Sequence, residues 1–118
     1  MKVIIAGGRD FDDYDLLRIK CDNILRNQDE VIIISGGAKG ADSLGERYAK
    51  ERGYSTEVFP AKWEEHGKKA GPIRNEEMAN NANALIAFWD GKSKGTKHMI
   101  DTATDKGLLV RIIKYKRG

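Results

Sequence analysis

Three short apolar runs in this chain each end in glycine. Lys2–Ala6 stops at Gly7-Gly8, Val31–Ile34 at Ser35-Gly36-Gly37, and Leu85–Trp89 at Asp90-Gly91, with Gly95 four residues on. The runs are rich in Ile, Val and Leu and lack the polar alternation of a half-exposed strand, as expected of parallel strands covered on both faces. Glycine after such a strand lets the backbone turn sharply, and lets a ligand approach without meeting a Cβ. In open parallel sheets ligands sit outside the carboxyl ends of the strands. The coincidence of glycine with strand end therefore constrains both the fold and the position of any site.

The segments between the runs carry helical periodicity. Tyr14, Leu17, Cys21, Ile24 and Leu25 recur at helical spacing, as do Ala41, Leu44, Gly45, Tyr48 and Ala49, the latter stripe stopping at Gly53. Ser55–Phe59 reads as a third strand, and Pro60–Gly71 as a polar connection. Pro72 suits the first turn of a helix reaching about Asn80. Thr96, Met99, Ile100 and Ala103 mark a fourth helix, and Leu108–Ile113 a fifth strand. This alternation predicts one Rossmann-like three-layer α/β/α sandwich over residues 1–118, with a mainly parallel sheet of about five strands.

Composition narrows the function classes. Of the 118 residues 40% are hydrophobic and 33% charged, which excludes a disordered chain. No apolar run is long enough for a membrane span. Met1–Gly8 is too short for a signal peptide, so a cytoplasmic location is expected. Cys21 is the only cysteine, and His66 and His98 stand far apart without ligand spacing. No disulfide, metal site or cofactor is expected. Residues 60–118 hold twelve Lys/Arg against seven Asp/Glu, whereas residues 1–59 hold nine against eleven. The basic half, ending in Lys114, Lys116 and Arg117, either attracts phosphate or is a solvated surface.

Four segments are candidates for chemistry. Ser35-Gly36-Gly37-Ala38-Lys39-Gly40-Ala41-Asp42 has three glycines in five residues ahead of a helix, more than a tight connection needs. It is read as an anion seat, with Lys39 adding charge and Asp42 either complementing the helix dipole or bonding a ribose hydroxyl. Asp90-Gly91-Lys92-Ser93-Lys94-Gly95-Thr96 offers a second seat. Gly91-Lys92-Ser93 imitates the end of a P-loop, but Ile86 stands where its leading glycine belongs. In Gly7-Gly8-Arg9-Asp10-Phe11, Arg9 can grip phosphate. Asp10, Asp12 and Asp13 suit helix caps. Phe11 either stacks on a base or covers the core. Arg74 and Asn75 follow Gly71-Pro72, where Arg74 is either a ligand clamp or an ion-pair partner of Glu76 or Glu77. No GxGxxG fingerprint occurs, which disfavours ordinary NAD(P) binding. Trp89, at a strand end, is expected to line a pocket, and Trp63 to be partly buried in the core. Neither histidine is given a catalytic role.

These loops, in this order, resemble the YspA-like branch of the SLOG superfamily. The resemblance rests on Gly7-Gly8-Arg9-Asp10-Phe11, Ser35-Gly36-Gly37-Ala38 with Gly40-Ala41-Asp42, Pro60-Ala61-Lys62-Trp63, Ala70-Gly71-Pro72-Ile73-Arg74-Asn75 with Met78, and Phe88-Trp89-Asp90-Gly91 with Ser93 and Gly95-Thr96. It implies a Rossmann-like domain that binds a phosphate-containing, nucleotide-derived small molecule through these loops. Two related groups imply different outcomes. The LOG-type phosphoribohydrolases release a base from a nucleoside monophosphate. Arg74, Met78 and Gly95-Thr96 match their pattern, but Met99 replaces the glutamate of the final loop. Arg74 and Asp90 are then the remaining catalytic candidates. The DNA-processing protein DprA is similar at Ser35–Asp42 and at Arg74-Asn75, which implies single-stranded DNA as a lesser alternative. A homo-oligomer is compatible with the resemblance, and no membrane partner is expected.

Overall fold

The computed structural model describes residues 1–116; Arg117, part of the basic chain end, lies outside them. Five parallel strands form one sheet in the order β3-β2-β1-β4-β5. They are β1 (Lys2–Gly7), β2 (Ile32–Ser35), β3 (Ser55–Val58), β4 (Ala84–Trp89) and β5 (Leu109–Lys114). The chain winds outward through β1, β2 and β3, returns beneath the sheet, and continues through β4 and β5 on the other side of β1. The winding direction thus reverses between β1 and β4, whose pairing runs from Val3 opposite Ala84 to Gly7 opposite Phe88. This reversal is the topological switch point of the sheet.

Alternation along β1 divides the core in two. Val3 and Ile5 face α1 (Tyr14–Leu25) and α2 (Ala41–Arg52), packing against Leu17, Cys21, Tyr48 and Ala49. Ile4 and Ala6 face α4 (Ala70–Asn80) and α5 (Lys94–Asp105), packing against Met78, Met99, Ile100 and Ala103. Val3, Ile4 and Ile5 are fully buried. Each such side chain contributes about 1.5–3 kcal/mol of transfer free energy. Burial also pushes the Cys21 thiol up to about 12, so it behaves as a small apolar core group.

The helices end where the sequence predicts. The Asp13 carboxylate accepts the amide of Leu16 at 3.0 Å and caps α1, and α2 terminates at Gly53. Pro72 falls in the first turn of α4, which begins two residues earlier, at Ala70. Two expectations need correction. Continuous apolar character holds on both faces for β1 and β4 but not at the edges, where Val58, Leu109 and Ile112 are about half exposed. An edge strand lacks a neighbour on one side, and helices cover the middle of the sheet first. The polar stretch before Pro72 is also structured: it holds α3 (Trp63–His66) and a 3-10 turn (Gly67–Lys69). Among the described residues no helix is long and apolar enough to cross a membrane.

Candidate functional site

The segments that leave β1 and β4 at their carboxyl ends part at the switch point and leave a cleft of about 680 Å³. Its walls are Gly7–Asp10 after β1, the Asp90–Thr96 loop and first turn of α5, and the first turns of α4; Trp63 stands at its rim. A smaller cavity of about 350 Å³ adjoins it over the ends of β2 and β3, and Arg9, Ala38, Trp63 and Arg74 line both. Arg9, Arg74, Lys92 and Lys94 make the larger cleft cationic, while Asp10, Asp42 and Asp90 also reach it. Among the described residues no group of three or more His, Cys, Asp or Glu side chains could hold a metal ion.

The β2–α2 loop is built around two glycines. Gly40 has φ of +78°, and a Cβ there would strike the backbone of Gly8 and Arg9. The Gly8 carbonyl instead accepts the amides of Ala41 at 3.2 Å and Phe11 at 3.2 Å, binding the two loops together. At Gly36 a Cβ would run into the Arg74 guanidinium and the Asp42 carboxylate. Arg74 Nη1 donates to the Gly36 carbonyl at 2.6 Å, and Nε donates to Asn75 Oδ1 at 3.1 Å. Asp42 Oδ2 accepts the amide of Ala38 at 3.2 Å, and Ser35 Oγ accepts that of Gly37 at 3.1 Å. Burial raises the Asp42 carboxyl above its ordinary value, against the Ala38 amide and Arg74, which lower it. Burial likewise lowers the Arg74 guanidinium; the Asp42 carboxylate opposes that shift and Arg9 adds to it.

The β4–α5 loop is built differently. Asp90 Oδ1 accepts the amides of Lys92 and Ser93, each at 2.8 Å, in an Asx turn. Ser93 caps α5, its hydroxyl accepting the amide of Thr96 at 3.4 Å and lying 3.1 Å from the Thr96 hydroxyl. The amides of Lys94 and Gly95 have no hydrogen-bond partner among the described residues, and a Cβ at Gly95 would meet nothing within 4 Å. Two donors at a helix N-terminus thus stay available beside the cleft, where the helix dipole favours an anion.

The predicted residues separate accordingly. Gly7, Gly8, Arg9, Asp10, Ala38, Asp42, Arg74, Asn75, Asp90, Ser93, Gly95 and Thr96 come together around the cleft. Gly36, Gly37 and Lys39 line the smaller cavity. Ser35 withdraws: it is fully buried and donates to Glu46 Oε2 at 2.7 Å. Phe11 covers the core, its ring 4.9 Å from that of Phe88 and 4.7 Å from that of Tyr115. Gly40 and Gly91 shape their turns at positive φ and line neither cavity. Arg74 makes no ion pair with Glu76 or Glu77 and turns to the Gly36 carbonyl.

The two tryptophans exchange the places expected of them. Trp89 folds over its own loop, its indole N–H donating to the Ser93 carbonyl at 3.1 Å, and it lines neither cavity. Trp63 is 50% exposed and lines both. The signal for Trp63 was its place just after a strand end, in Pro60-Ala61-Lys62-Trp63. His98 was also missed. It lies one turn into α5 and lines the cleft, with Nδ1 3.1 Å from Asn75 Nδ2. Because Asn75 Oδ1 accepts from Arg74, its amide nitrogen faces His98 and donates, which leaves the imidazole proton on Nε2. The hydrogen bonds run from the Gly36 carbonyl through Arg74 and Asn75 to His98, tying the β2–α2 loop to α4 and α5.

Against this geometry the comparisons with known proteins are informative. The model of the family described as "YAcAr: YspA, cpYpsA-related SLOG family" matches residues 1–66. The chain belongs to this SLOG family. The matched part of the SLOG domain runs from β1 to α3, and so carries the Gly7–Phe11 and Ser35–Asp42 loops and Trp63. The Gene 61 protein of Mycobacterium phage D29 is 36% identical over 119 residues, covering 92% of this chain and 93% of its own length. Among solved structures, the X-ray structure of DNA processing protein A (DprA) from Streptococcus pneumoniae superposes with a TM-score of 0.78 at 20% identity. That superposition covers 98% of this chain and 50% of DprA, so the SLOG chain spans half the length of that neighbour. At this identity the likeness is one of fold: a parallel sheet flanked by helices, as the glycine-ended strands predict.

Proposed function

We propose that this chain is a binding or sensor domain for a phosphate-bearing, nucleotide-derived small molecule, held in the cleft between the loops after β1 and β4. The observation that carries the reading is the coincidence of the larger cleft with the switch point, where Lys94 and Gly95, with their unpartnered amides, line the same cleft as Arg9 and Arg74. Its volume of about 680 Å³ suits a small-molecule ligand. The reading includes a cytosolic site of action and the whole chain acting as one domain.

The reading stops at binding. Met99 takes the place of the carboxylate that base release would use, and Asp90 Oδ1 is committed to its own loop amides. A thermal-shift screen with inorganic phosphate, ribose 5-phosphate, AMP and ADP-ribose tests it. A ligand at a hundred times its Kd stabilises by about 2.7 kcal/mol. For a chain of this size that is a rise in Tm on the order of 10 °C. Arg9→Ala, at an exposed position, should weaken the response without unfolding the protein. No shift with any phosphate-bearing probe overturns the reading.

A second reading follows from the DprA fold and the excess of Lys and Arg beyond residue 60: single-stranded nucleic acid lying across the same strand ends. Its signature is a log affinity falling with log salt by about −0.7 per phosphate contacted, whereas a single nucleotide gives a shallow dependence. A steep slope for an oligonucleotide, with no response to any nucleotide, replaces the first reading with this one.

A further inference from the structure

Large apolar side chains left half exposed are rare here. Among the described residues they are Ile19, Val58, Trp63, Leu109 and Ile112. Trp63 alone of these lines either of the two cavities over the strand ends, and it lines both. Its surroundings account for its place. Pro60-Ala61 carries the chain away from the end of β3, and the four residues of α3 are too few to draw the indole into the core. The far end of the ring, Cη2, lies 3.6 Å from where a Cβ on Gly71 would stand, so the indole rests on the first turn of α4 at a residue without a side chain. Arg9 and Arg74, the cations common to both cavities, stand in the same walls.

We infer that Trp63 is the platform on which a planar ring of the ligand stacks while the ligand's phosphate lies toward Arg9 and Arg74. This rests on the reading of the cleft as a phosphate site and narrows it: the ligand is a nucleotide with its base attached, rather than a phosphosugar or a free anion. An indole suits the task because any base presents a π face to it, and it is held at little entropic cost by two torsions. Half the residue being exposed, core packing does not account for its position.

The test compares probes with and without a base on the full chain. AMP and ribose 5-phosphate share the sugar and phosphate, and their affinities are measured by calorimetry for the unsubstituted chain, Trp63→Ala and Trp63→Phe. Loss of stacking worth about 1–3 kcal/mol corresponds to a roughly 5–150-fold weaker AMP complex in Trp63→Ala. Ribose 5-phosphate should bind all three proteins alike, and Trp63→Phe should keep most of the AMP affinity. Indole emission gives a second reading without touching Trp63: AMP should quench it in Trp89→Phe, and ribose 5-phosphate should not. If Trp63→Ala leaves AMP affinity unchanged, or weakens both probes equally, the stacking role is overturned and the phosphate site stands. If neither probe binds the unsubstituted chain, the stacking role falls, and the phosphate site falls with it when inorganic phosphate and ADP-ribose also fail to bind.

Discussion

The loop after β2 has three glycines in five residues, and the loop after β4 only two, at its ends. By glycine count the first is the better anion seat. In the structure the first is largely occupied by its own chain: the amides of Gly37 and Ala38 go to Ser35 and Asp42, and the Arg74 guanidinium fills the space beside Gly36. The second keeps the amides of Lys94 and Gly95 open beside a cleft. A glycine required by neighbouring protein atoms and one that leaves room for a ligand look the same in a sequence. What separates them is what a Cβ would meet.

The largest expected effect tests the first half of this contrast. Gly40→Ala places a side chain at φ of +78° and ψ of −127°, against the Gly8 and Arg9 backbone. Backbone strain of about 1–3 kcal/mol plus the steric conflict should cost at least about 3 kcal/mol. Urea denaturation measures it. A loss below about 1 kcal/mol would mean that the loop is not tightly built.

Gly95→Ala tests the other half and should have the opposite sign. The added methyl meets nothing in the protein and favours helix, so stability should hold or rise by up to about 1 kcal/mol. The same methyl obstructs the amides beside it. Loss of one hydrogen bond to a charged group, about 1.5–3 kcal/mol, weakens a phosphate-bearing probe roughly 10–150-fold. A variant that melts early and still binds would reverse the assignment of the two loops.

The smallest effect concerns Asp42. Its folded carboxyl titrates above the ordinary 3.8 because it is buried, so the native state holds the proton more tightly than the unfolded chain. The stability this contributes is fully present below about 3.8 and is lost as pH rises through the folded value. Asp42→Asn keeps an oxygen for the Ala38 amide and removes the buried charge. It should flatten that decline and leave stability at pH 7 unchanged or raised by less than about 1 kcal/mol. A large loss at pH 7 would show that the charge attraction to Arg74 outweighs the cost of burial.

The strands, the helices between them and the glycine loops at the strands' carboxyl ends were legible because each rests on local features: an apolar run, a helical stripe, a glycine at the join. Side-chain direction was not. Ser35, in a glycine loop, turned inward to Glu46, because the last residue of a buried strand can point to either face. Phe11 found Phe88 and Tyr115, partners 77 and 104 residues away, which no local pattern announces. Trp63 and Trp89 exchanged roles for the same reason. Trp89 had a carbonyl within its own loop to bind, while Trp63 sits on a helix too short to bury it. His98 acquires its place in the cleft only through Asn75, 23 residues earlier.

The space beside Gly36 also bears on how such a chain can change over generations. Any side chain there must displace Arg74, 38 positions downstream, as well as the Asp42 carboxylate, so these sites do not accept substitutions independently. The order of events matters: a descendant that first loses the arginine keeps only the Asp42 carboxylate as an obstacle at Gly36, whereas one that first replaces Gly36 must displace both groups at once. Among descendants an arginine at 74 should therefore travel with a glycine at 36. Lineages that have abandoned the one should show drift at the other, a joint record of whether the guanidinium is still in use.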